Sequence, residues 1–137
     1  MISLQTYIDR ISSQTGYYTD WAKQKEIGTG NFGDPPRVIV GYDSVHSSGN
    51  LGDSDTPDTY LQYEEDLVQV FTVQFNCDTT SLHSVWQNIY NALAGWNYSA
   101  TEINYSGLMY AVGGIMGVEG GRTAWKDRWK LDFPRIT

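Results

Sequence analysis

LVQVFTVQFNC, residues 67–77, carries the strongest strand signal in the chain. It is dense in β-branched and aromatic residues, and side chains two apart fall on the same face of an extended backbone. Leu67, Phe71, Val73 and Phe75 therefore share one face, with Val68 and Val70 on the other. Apolar side chains on both faces imply an inner strand, or an outer face covered by a neighbouring chain. An inner strand needs partners on each side. Upstream, RVIVGY (37–42) is a short β-branched run. Downstream, the last third reads as paired strands: 108–118, interrupted by Gly113, Gly114 and Gly117, then Gly120-Gly121 as the turn, then 123–133. In that last segment Trp125, Trp129, Leu131 and Phe133 share one face, while Lys126, Arg128 and Lys130 share the other.

Two segments have helical periodicity instead. Residues 3–15 place Leu4, Tyr7, Ile8 and Ile11 on one stripe, with Ser3 as cap and Gly16 as stop. Residues 81–95 do the same with Leu82, Val85, Trp86, Ile89, Tyr90 and Leu93; Asp78 to Thr80 can cap the start and Gly95 ends it. Gly28, Gly30, Gly33 and Pro35-Pro36 punctuate 17–36, which reads mostly as connection. Residues 43–66 are rich in Ser, Gly, Asp and Asn, and irregular connections of that length are uncommon unless functional or disordered. If 41–65 formed a hairpin, each arm could reach about 40 Å. The order of elements predicts a single α+β domain over 1–137. Its architecture is a mainly antiparallel sheet of four to five strands, two helices packed on one face, and a long acidic loop or hairpin insertion at 43–66.

The chain has 137 residues, with 40% hydrophobic and 14% aromatic content, which argues against wholesale disorder. Its 16 acids against 9 bases give a net charge of −7, so nucleic acid is an improbable main partner. The charge is segregated: residues 38–121 contain ten acids and no Lys or Arg, while 122–137 hold five bases and two acids. Such poles can meet within one domain or between neighbours in an assembly. The lone Cys77 leaves no internal disulfide. No run approaches the roughly 20 apolar residues of a membrane span, and residues 1–10 carry no signal-peptide core. A soluble, intracellular protein is the expectation.

The chemical motifs fail on context. GTGNFG (28–33) matches G-x-G-x-x-G, but no strand precedes it and Pro35-Pro36 blocks a following helix. Cys77 and His83 could pair as nucleophile and base, yet Cys77 ends an apolar strand, where a buried thiol is the commoner outcome. Asp53-Ser54-Asp55-Thr56-Pro57-Asp58 opens like a calcium loop but lacks its glycine and closing glutamate. Trp86 and Trp125 read as ordinary packing rather than a sugar platform. No catalytic residue, metal or cofactor is expected, so the chain is read as a non-enzyme that works by binding or assembly. The candidate contact residues are Asp53, Asp55, Asp58, Glu64, Glu65 and Asp66 on the acidic stretch, and Lys126, Arg128 and Lys130 facing acids of a neighbour.

The order of elements resembles the tail terminator proteins of long-tailed bacteriophages. The matching features are the N-terminal helix, RVIVGY (37–42), the acidic connection into LVQVFTVQFNCD (67–78), SLHSVWQNIYNALAG (81–95), the glycine-rich LMYAVGGIMGVEGG (108–121) and TAWKDRWKLDF (123–133). The resemblance implies an α+β virion protein of the tail or neck, assembled in the host cytoplasm into a homo-oligomeric ring, a hexamer. Such a ring caps the tail tube and ends its polymerisation, and it offers a docking surface to neck and head-completion proteins. DNA would be only passing cargo, and no membrane is involved. The acidic insertion maps onto no definite family feature. Two alternatives stand beside this reading: a monomeric carbohydrate- or calcium-dependent binding module, and another neck or baseplate component.

Overall fold

In the computed structural model the described residues are 2–21, 36–47, 64–97 and 107–136. Helix α1 spans Leu4–Thr15; the Ser3 hydroxyl accepts from the Gln5 N–H, and Gly16 closes the helix at φ 74° with its N–H on the Ser12 carbonyl. Leu4, Tyr7, Ile8 and Ile11, the apolar stripe of the sequence, are buried. The strands are β1 (Tyr18–Trp21), β2 (Arg37–Ser47), β3 (Glu64–Asp78), β4 (Met109–Glu119) and β5 (Arg122–Ile136); a 3₁₀ turn at Thr79–Ser81 leads into α2 (Leu82–Leu93). The sheet order is β1-β2-β3-β5-β4.

The expected α+β architecture of a five-stranded sheet with two helices is therefore present, and β3 is its central strand. Residues 71–77 are all buried, the polar Thr72, Gln74 and Asn76 included, as befits a strand with neighbours on both sides. The core gathers on one face from Tyr7 and Ile11 of α1, Val85, Ile89 and Leu93 of α2, Val38 and Val40 of β2, Phe71, Val73 and Phe75 of β3, and Trp129 and Leu131 of β5. Tyr7 stacks on Phe71 with ring centroids 3.9 Å apart. Gln69, on the same face, is fully buried: its amide oxygen accepts from the Ile2 N–H and the Tyr7 hydroxyl, and its NH₂ donates to the Ile2 carbonyl. A buried amide is tolerated when both of its ends are satisfied in this way.

Two segments differ from expectation. Tyr18–Trp21, read as connection, is a strand paired in parallel with Arg37–Val40, so the sheet is mixed. Its tie to the body includes the Trp21 indole N–H donating to Gln5 Oε1 at 3.1 Å. The irregular stretch begins later than expected: β2 continues past an irregularity at Asp43, and its antiparallel ladder with β3 reaches Ser47↔Leu67. At the other end β3 starts at Glu64, paired with Ile136 of β5. The acidic segment thus begins and ends as strand, and 48–63 lie outside the described residues. The β4–β5 connection is as expected: Gly120 and Gly121 both have positive φ, 58° and 76°, the requirement of the tightest hairpin turn.

Candidate functional site

Alternation along β5 puts Trp125, Asp127, Trp129 and Leu131 on the helix-bearing face. Asp127 is 1% exposed. One of its oxygens, Oδ1, accepts from three aromatic donors on three elements: Trp125 Nε1 of β5 at 2.6 Å, the Tyr110 hydroxyl of β4 at 2.9 Å and Trp86 Nε1 of α2 at 3.3 Å. The rings also pack on one another. Trp86 stacks on Tyr90 at 4.9 Å and meets Tyr110 edge-on at 5.7 Å, and Tyr110 meets Trp129 at 5.3 Å. The carboxylate is the point at which α2, β4 and β5 are tied together.

Two effects compete for its charge. Burial raises the Asp127 pKa above its ordinary value, while the hydrogen bonds from Trp125, Tyr110 and Trp86 pull it down; burial prevails. Tyr110 is pushed up to about 12, first by burial and then by its hydrogen bond to Asp127 and the charge there. Among the described residues no cation forms an ion pair with Asp127; Lys126 and Arg128 beside it in sequence point to the opposite face. Immediately outside the rings lies a cavity of about 330 Å³ lined by Leu82, His83, Trp86, Tyr110 and Trp125. Asp127 sits behind these walls rather than among them.

Gly113 pairs with Asp127 across the β4–β5 ladder, and a side chain there has no room. A Cβ would overlap Asp127 Oδ1 and the Tyr110 hydroxyl and lie 3.0 Å from Trp125 Nε1. Gly113→Ala is expected to cost about 2 kcal/mol of stability in denaturant titrations, the range for overpacking a fixed cluster. The matching control, Gly114→Ala, meets nothing within 4 Å and should cost far less.

The residues singled out from sequence are distributed differently. Lys126, Arg128 and Lys130 do share a face, the one without helices, where they pair in register with Gln74, Thr72 and Val70. Arg128 already has an acidic partner within the chain, Asp43 Oδ2 at 3.6 Å. Both side chains are well exposed, so the pair contributes little. Glu64, Glu65 and Asp66 lie on β3, their backbones opposite Ile136, Arg135 and Pro134. Asp53, Asp55 and Asp58 lie outside the described residues, as does the 28–33 glycine motif. Cys77 is buried and His83 is exposed. Among the described residues no three His, Cys, Asp or Glu side chains gather as a metal site, and no helix is long and apolar enough to cross a membrane.

No family model matches the sequence, and no curated protein matches it. Among solved structures the chain is similar to one from the virion of a native gene transfer agent particle: 11% identity, TM-score 0.56, covering 91% of this chain and 84% of that one. That likeness is one of fold.

Shared fold directs attention to the ends of the sheet. Among the described residues no strand pairs with the outer edge of β4, and Val112, Ile115 and Val118 on it are 52%, 60% and 59% exposed. Its eleven residues contain no Lys, Arg or Pro, and Glu119 is its one charge. Natural edge strands are usually blunted by such residues, so among the described residues β4 has an open edge, relieved by two irregularities in its ladder. The opposite edge, β1, exposes Tyr18 and Trp21. From sequence, Gly113 is an interruption of the 108–118 strand and Asp127 has no role beyond its charge; the parity of Asp127 with Trp125 and Trp129 is the available signal.

Proposed function

We propose that this chain is a structural component of a phage-like virion, and specifically a tail-terminator-type subunit that forms a ring and acts without catalysis. The observation that carries the reading is the fold shared with a virion chain over 91% of this sequence. The open β4 edge supports self-assembly. β4 and β1 end the sheet on opposite sides, so β4 of one copy beside β1 of the next is a head-to-tail contact. Such contacts close into a ring when the rotation suits, here a hexamer.

A terminator works by competition for a growing end. A tube of stacked rings adds subunits because each ring exposes an unsatisfied face; the terminator ring matches that face and presents a different one outward. One face then meets the tail tube protein and the other a neck or head-completion protein. Acids directed at the channel would repel DNA phosphate and let it pass without sticking. The site of action would be the tail or neck of the particle, after assembly in the host cytoplasm. Native mass spectrometry of the purified chain, alone and with its tube protein, tests the reading. A closed ring that arrests tube growth is the expected result, and a strict monomer inert towards the tube protein overturns it.

A further inference from the structure

We infer that the cavity outside Asp127 is a socket for one cationic side chain, an arginine or lysine presented by a partner protein. The inference does not depend on the ring reading; it rests on the juxtaposition of aromatic walls with a buried carboxylate that, among the described residues, has no cation. Trp86, Tyr110 and Trp125 line the cavity, and each directs its polar N–H or O–H away from it to Asp127 Oδ1. What such rings leave for a visitor is their π surface. The face of an aromatic ring is its electron-rich part and attracts cations, tryptophan most strongly. Donating a hydrogen bond to an anion draws further electron density onto the ring, so the one carboxylate enriches all three walls.

The alternatives fit less well. An anion would be repelled by Asp127, which is 1% exposed and therefore poorly screened by water. A purely apolar side chain would cover the rings but leave the charge of the buried carboxylate balanced by its hydrogen bonds alone, with no cation among the described residues. A cation satisfies both demands. At about 330 Å³ the cavity has room for a guanidinium or ammonium group with its aliphatic stem, which can lie along Leu82. Guanidinium is favoured because it is planar, stacks on indole and sheds water more readily than ammonium.

The test uses the whole chain, with N-acetylarginine methylamide as probe and its neutral isostere N-acetylcitrulline methylamide as comparison. The readout is the indole N–H resonances of Trp86 and Trp125. The expected result is saturable movement of both resonances with the arginine probe. Citrulline should bind at least about fivefold more weakly. Asp127→Asn, which keeps an acceptor oxygen but removes the charge, should reduce arginine affinity to the citrulline level while leaving citrulline unaffected. Equal binding of the two probes, binding of a methyl glucoside in preference to both, or no movement of either resonance would each overturn the assignment. Should Asp127→Asn unfold, Tyr110→Phe removes one donor and one contact to the carboxylate and serves in its place, with a smaller loss expected.

Discussion

Asp127→Ala is expected to lower the unfolding free energy by about 3 kcal/mol. The truncation leaves the Trp125, Tyr110 and Trp86 donors without their shared acceptor, and a buried donor stranded in this way costs about 1–3 kcal/mol. Relief from holding a charge in a buried site offsets part of that sum. Asp127→Asn retains one acceptor oxygen and should cost less, by equilibrium urea unfolding. The two proteins should also differ in their pH dependence. Burial holds the Asp127 pKa above its ordinary 3.8 in the folded state, so the folded protein takes up this proton at a higher pH than the unfolded chain. Its contribution to stability is then fully present below the unfolded pKa and is lost as pH rises through the folded one. Relative to Asp127→Asn, which has nothing to titrate, the natural protein should therefore gain stability as pH falls from neutral to below 4. A difference that moves the other way would show that the three hydrogen bonds, and not burial, set the charge state.

Much of the fold was legible because its signals are local. The stripe of Leu4, Tyr7, Ile8 and Ile11 and the cap–stop pair Ser3 and Gly16 specify α1 without reference to anything distant. The Gly120-Gly121 turn fixes the β4–β5 register within a few residues. Tyr18–Trp21 was illegible for the opposite reason. Four residues with an acid in the third place become a strand only because Arg37–Val40 lies alongside, and parallel pairing leaves no turn signal to read. The site failed at a different step. Alternation along β5 correctly grouped Trp125, Trp129 and Leu131, yet the same parity includes Asp127, and residue type alone sends an aspartate to solvent. Gln69, between Leu67 and Phe71, is the same case on β3. Buried polar residues depend on partners brought from far along the chain, here Ile2 and Tyr7 for Gln69, and Trp86 for Asp127.

Ile115→Lys combined with Val118→Lys is expected to abolish self-assembly, weakening it by about two orders of magnitude or more, while the subunit stays folded. Both side chains are about three-fifths exposed, and substitutions at such positions usually change stability by no more than about 0.5 kcal/mol. Their effect on an edge contact is far larger. Lysine on an exposed strand is the device by which edges are kept from pairing, because a neighbouring strand must either desolvate the ammonium or fail to approach. Sedimentation velocity should give a monomer with unchanged far-ultraviolet circular dichroism, where the proposed function expects a ring for the natural chain. The comparison that decides where subunits meet is Lys126→Glu with Lys130→Glu on the helix-free face. Arg128 on that face is already matched by Asp43 of its own chain, and exposed ion pairs contribute little, so this double variant should still assemble. If instead the charge reversal dissolves the ring and the β4 lysines leave it intact, subunits join through the basic face, and the open edge serves some other neighbour.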